Sequence, residues 1–282
     1  MEQKFKDSNK SIWKTIYILL VLACVLCIAV LIVFLQKDKK EKIVTEQQQE
    51  EIEEQYVVEE IAPEVEVEKE LASLPIDFEG LQEINPEIYA WIEVPDTKIN
   101  YPILQHEGED QGYYLTRDIY GEYNQAGSIY TEDYNNKDFQ DYHTVLYGHN
   151  MKNGSMFHNV RYFAEREYFD QHHELYVYMP EKILKYEIIA CYEYDDRHLL
   201  GMFDFDDEEA YAKYLEDIMK PRSMYTMIRE GWELDAEDKL LTLSTCIANK
   251  PNNRRLLQAV LVEEIDAEYR GAVDELTDET EN

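Results

Sequence analysis

Cysteine is scarce in this chain, four in 282 residues, and the placement of the four excludes a disulfide framework. Cys24 and Cys27 stand inside an apolar run, where a C-x-x-C reads as small polarizable packing rather than a redox pair. Cys191 falls in the alternating stretch "YEIIACYEY" and reads as a buried core thiol, which leaves Cys246 without a partner. Positive charge is short as well. Lys and Arg total 27 against 60 Asp and Glu, a net charge of -33, so binding to nucleic acid by counterion release is excluded and an anionic surface repels the chain. Internal repeats, Walker-type loops and dinucleotide fingerprints are absent. The acidic stretch "DFDDEE" lacks the glycine and closing Glu of a calcium loop and reads instead as a helix start.

One long hydrophobic run is present. Ile16 to Leu35, "IYILLVLACVLCIAVLIVFL", has about the 20 apolar residues a helix needs to cross a hydrocarbon core. A cleaved signal peptide has a shorter apolar region and a small-x-small site after it, whereas Leu35 runs into "QKDKK". The expectation is a tail over residues 1–15, an uncleaved anchor helix over 16–35, and an acidic, self-repelling spacer over 36–73. Lysines flank the span on both sides, so the positive-inside rule gives no orientation.

The globular part is expected over residues 74–270, with an acidic tail at 271–282. "EINPEIYAWIEV" reads as short helical turns leading into a strand. "INYPIL", "GSIYTE", "HTVLYGH", "ELYVYM", "ILKYEIIACYEY", "LLTLSTC" and "RRLLQAVLVEE" are further strand candidates, rich in branched and aromatic residues. Many short strands predict a mainly β domain, barrel or sandwich. One helix interrupts the series at "DDEEAYAKYLEDIMKP", with acids at its start, an apolar stripe and Pro221 closing it. A second, shorter helix is expected to follow "NGSMFHNVRYF".

In "KLLTLSTC" alternation puts Leu241, Leu243 and Thr245 on one face and Thr242, Ser244 and Cys246 on the other. Cys246 thus lies on the less apolar face at a strand end, a setting for a nucleophile as much as for packing. A nucleophilic thiol needs an acid or base, and there are seven histidines. His149 closes a strand after Gly148; His172 and His173 lie in a charged, solvated stretch, and His106, His143, His158 and His198 lack a clear strand-end setting. Donors for an oxyanion are available at Arg254 and Arg255, which open the strand after Cys246. Alternation places Arg255 with Leu257, Ala259 and Leu261, and Arg254 with Gln258 on the wetter side, although Val260 and Val262 fall there too.

"INPEIYAWIEVPDTKINYPIL", "AGSIYTEDYN", "YGHNMKNGSMF", "TLSTC" and "RRLLQAVL", in this order, together resemble the sortases, specifically class B. The resemblance covers nearly all of the soluble part. It implies a closed eight-stranded β-barrel with peripheral helices and a Cys, His, Arg triad: Cys246, His149 and Arg254, with Arg255 an open alternative because the arginine is doubled. It further implies a membrane-anchored cysteine transpeptidase that cleaves a C-terminal sorting signal of secreted proteins through a thioester. The acyl acceptor it implies is an amine of a peptidoglycan precursor or a pilin. The N-terminus would then be cytoplasmic and the catalytic domain extracellular, with no metal or organic cofactor. A cysteine protease passing the acyl group to water and a catalytically silent scaffold are the rival classes.

Overall fold

Eight strands close into a ring in the computed structural model, which describes residues 71–271 apart from 222 and 224, together with residues 36, 47, 48, 51 and 55. The expected anchor helix at 16–35 lies outside the described residues, as do most of the spacer and the tail after Gly271. Among the described residues no helix is long and apolar enough to cross a membrane.

The strands are β1 (Ala72–Leu74), β2 (Ile88–Glu93), β3 (Asn100–Gln105), β4 (Ile129–Thr131), β5 (His143–Tyr147), β6 (Glu174–Met179), β7 (Lys182–Asp195), β8 (Met227–Ile228), β9 (Leu240–Ile247) and β10 (Lys250–Tyr269). They pair in the order β10-β9-β5-β4-β3-β2-β6-β7, and antiparallel pairing of β7 with β10 closes the ring. Closure removes the edges an open sheet would expose. β1 adds outside β10 and β8 outside β7. These two strands were not expected, because two or three residues carry no readable alternation. All eight expected strands are present.

Alternation sorts the side chains into two faces. The inner face fills the barrel with residues from every ring strand, among them Ile92, Ile103, Ile129, Leu146, Val177, Ile188, Leu243 and Leu257. A 3-10 helix at Phe157–Ala164 and helix α2 (Arg166–Gln171) add Phe157, Phe163 and Phe169 to this core, so the short helix expected to follow "NGSMFHNVRYF" is α2, and the 3-10 winding of that stretch itself was not expected. The outer face is covered twice. Helix α1 (Phe78–Ile84) and the segment around Tyr114 and Ile119 pack over Trp91, Leu104 and Tyr130.

The second cover lies between β7 and β9. It holds the one-turn helix α3 (Leu199–Met202) and α4 (Glu208–Ile218). Asp207 caps α4, its Oδ1 accepting from the Ala210 N–H at 2.9 Å, so the acidic stretch does start a helix. Tyr211, Tyr214, Leu215 and Ile218 are buried against Val145, Tyr192, Leu256 and Val260. This accounts for Val260 sharing a face with Arg254: that face is not wet but roofed by α4.

Beneath the roof is a polar network. Gln258 Nε2 donates to Tyr214 Oη at 2.6 Å and to Thr242 Oγ1 at 3.1 Å, and His143 Nε2 meets the same Thr242 hydroxyl at 2.7 Å. His143, set aside in the sequence as lacking a strand-end position, is in fact the first residue of β5 and only 1% exposed. Its neighbours in sequence are polar, but its surroundings come from α4 and β9.

Candidate active site

Cys246 is a free, exposed thiol near the end of β9. The register decides what surrounds it. β9 runs parallel to β5 with Tyr147 opposite Ser244, and the Gly148 N–H donates to the Ser244 carbonyl at 3.3 Å. Two residues further on both chains, His149 stands level with Cys246. On the other side, antiparallel pairing sets Arg254 of β10 directly opposite Cys246. Cross-strand partners share a face, so Cys246 and Arg254 project from the same outer face, and the chain leaving β5 brings the His149 loop alongside, where Asn150 Nδ2 reaches the Cys246 carbonyl.

Arg255 sits elsewhere. It is 8% exposed, opposite Thr245 on the inner side, and its Nη2 donates to Glu193 Oε1 at 3.2 Å. Beside it Cys191 is fully buried, and burial pushes that thiol up to about 12, with Arg255 pulling it back only in part.

Two of the three side chains, His149 and Arg254, are held by backbone carbonyls. His149 Nε2 donates to the Leu115 carbonyl at 2.8 Å; a carbonyl only accepts, so Nε2 holds a proton and Nδ1 is the nitrogen left to exchange one. Arg254 Nη1 donates to the carbonyls of Pro251 and Asn253 at 3.0 and 3.2 Å, so the guanidinium rests on its own loop. Two further bonds tie the histidine loop to the cysteine strand: Thr245 Oγ1 donates to the Gly148 carbonyl at 2.7 Å, and Asn150 Nδ2 to the Cys246 carbonyl at 2.9 Å. Gly148 itself is forced. A Cβ there would come within 2.5 Å of Ile129 Cδ1 and 2.7 Å of Phe157 Cδ2.

The surroundings of the thiol are aromatic and acidic. Tyr130 and Tyr147 lie side by side, ring centroids 5.5 Å apart. Burial raises the Tyr130 phenol, and Glu132, Asp110 and Cys246 add to the rise by their charge. Thr245, Asn150, Leu115 and Glu132 went unnoticed in the sequence; the first two sit within "TLSTC" and "YGHNM", but nothing local says that their polar atoms reach across strands.

Among the described residues no group of three or more His, Cys, Asp or Glu is placed to hold a metal ion. The arrangement is one suited to acyl transfer: an exposed sulfur, an imidazole with one nitrogen fixed, and a cation across the strand pair. The sortase domain family model matches residues 92–262. The chain belongs to the sortase family.

Its relatives place this sortase in class B. Sortase B of Listeria monocytogenes is 32% identical over 188 residues, 66% of this chain and 74% of the relative. Sortase B from B. anthracis, solved in complex with AAEK1, superposes with a TM-score of 0.64 at 31% identity, covering 80% of this chain and 99% of that one. Sortase B from Clostridium perfringens superposes at 0.58 with 29% identity, 66% of this chain and 100% of that one. The closed eight-stranded barrel of the sortase domain is the sortase fold, and family membership makes the protein a cysteine transpeptidase.

Proposed function

We propose that this sortase joins secreted proteins bearing a C-terminal sorting signal to an amine, through a thioester on Cys246. The Cys246 thiolate attacks the Thr carbonyl of the signal, forming a sulfur–carbon bond. His149, protonated at Nδ1, gives that proton to the departing amine as the peptide C–N bond breaks. The incoming amine then attacks the thioester carbonyl, His149 takes its proton, and the sulfur leaves as thiolate. Arg254 exchanges its bonds to Pro251 and Asn253 for the tetrahedral oxyanion. The acceptor is an amine of a peptidoglycan precursor or of a pilin. Residues 16–35 hold the enzyme in the cell membrane, with the N-terminus cytoplasmic and the barrel outside, where its substrates emerge.

What supports this reading is the register that sets Arg254 opposite Cys246, together with the pairing of β5 with β9 and the Asn150–Cys246 bond that keep the His149 loop beside the thiol. The test is incubation with a panel of sorting peptides, with and without an added amine, followed by mass spectrometry. The expected result is an adduct on Cys246 and, with amine, a transfer product. Hydrolysed peptide alone under both conditions makes the protein a protease; no adduct on Cys246 with any peptide rejects the assignment.

A further inference from the structure

One pleat below the row of His149, Cys246 and Arg254, the outer face carries Tyr130, Tyr147 and Ser244, cross-strand partners in that order. Two residues of strand separate the rows, about 7 Å. The chain leaving β7 comes back over this lower row at His198, and both ring nitrogens of His198 are used. Nδ1 accepts the Gly201 N–H at 2.9 Å and so caps α3. A nitrogen that accepts carries no proton, so Nε2 holds it and donates to Glu132 Oε2.

Glu132 directly follows β4, 66 residues before His198, so this bond ties the start of the β7–β8 connection to the far side of Tyr147. Tyr147 Oη lies 3.5 Å from the same Nε2, and the Tyr134 and Tyr147 rings lie 5.2 and 6.4 Å from the imidazole. The Glu132 side chain is 13% exposed and that of His198 39%, so the carboxylate end of the bond is sheltered while the imidazole end is open to solvent. Next in sequence, Leu199 is buried with Val145 and Tyr192, which anchors the connection behind the bond.

We propose that His198 and Glu132 form a clasp that fixes one wall of the sorting-peptide groove over Tyr147, and that both are positioning residues setting the grip on the peptide. The proposal rests on the transpeptidase reading above. An extended peptide advances about 3.3 Å per residue, so with its reacting carbonyl at Cys246 and its chain running toward Tyr147, a residue two positions upstream meets this wall. A wall already held in place has no ordering cost on binding; a released one does, and the loss falls on KM.

Two substitutions separate the clasp from the helix cap. His198→Asn keeps a good capping acceptor for the Gly201 N–H but is too short for Glu132; His198→Gln keeps an N–H donor near the position of Nε2 and caps poorly. In turnover of a sorting peptide by the full-length protein, His198→Asn and Glu132→Ala are expected to raise KM about tenfold with kcat within about twofold, while His198→Gln stays close to the parent. The reverse order, Asn silent and Gln impaired, assigns His198 to capping alone and overturns the proposal. So does a fall in KM, or a loss confined to kcat. The clasp is also read without any turnover, by hydrogen exchange of the amides of Leu199 to Met202. Exchange faster in Glu132→Ala and His198→Asn than in the parent and His198→Gln supports it; parental exchange in Glu132→Ala rejects it even if every peptide proves inert.

Discussion

The Thr245 hydroxyl donates to the Gly148 carbonyl across the ends of β9 and β5, at 2.7 Å and out of reach of water. One residue further along each chain come Cys246 and His149, so this bond spaces the sulfur from the imidazole. Thr245→Val keeps the shape and orphans the carbonyl. It is expected to lower stability by about 1–2 kcal/mol and to reduce kcat/KM more than stability alone explains, since small misplacements of reacting groups are costly. Urea unfolding and peptide turnover at full folding measure the two effects; parental turnover removes the spacing role.

The two described cysteines are expected to react very differently. Cys246 is exposed, whereas Cys191 is fully buried with its thiol pushed up to about 12. Iodoacetamide under native conditions should modify Cys246 and leave Cys191 untouched until the protein is unfolded. Peptide mapping by mass spectrometry reads both sites at once, and native labelling of Cys191 would contradict the closed barrel.

The neighbouring arginines should separate cleanly. Arg254→Ala removes bonds only to its own loop, so stability should stay within about 0.5 kcal/mol while kcat/KM falls about a hundredfold or more. Arg255→Ala takes one partner from Glu193 and opens space in the barrel, and a loss of about 1–3 kcal/mol is expected. An Arg255 variant that folds normally but does not turn over peptide would exchange the two roles.

Acid should unfold the domain partly through His143. Burial lowers this imidazole from 6.5 to about 3. The unfolded chain therefore takes up a proton near 6.5 that the folded one refuses, so this contribution is complete above that pH and is lost as pH falls toward 3. The slope reaches at most about 1.4 kcal/mol per pH unit. Urea midpoints from pH 7.5 down to 4 should fall less steeply for His143→Gln than for the parent; equal slopes would remove His143 as the cause.

The sequence was readable where the physics is local. Runs such as "ILKYEIIACYEY" alternate because one face fills a barrel, and all eight strands read this way are in the ring. Alternation also put Leu241, Leu243 and Thr245 apart from Cys246, as the inner core and the exposed thiol bear out. Two-residue β8 has no period to read. The surroundings of His143 and His198 are not legible locally because their partners, Thr242 and Glu132, lie 99 and 66 residues away. For the arginines alternation alone is ambiguous, because Val260 shares the Arg254 face and only the cover of α4, distant in sequence, accounts for an apolar residue there.

In the ring β7 and β9 are not neighbours; β10 lies between them. The stretch that links them is therefore not part of the ring: it packs on it from outside, through the buried face of α4 and the pairing of β8 with β7. Changes outside the buried face of α4 leave the pairings of β5, β9 and β10 that space sulfur and imidazole untouched. Precision and adaptability are thereby assigned to different parts of one polypeptide, which makes this appendage the natural place to graft a new preference for the protein to be joined.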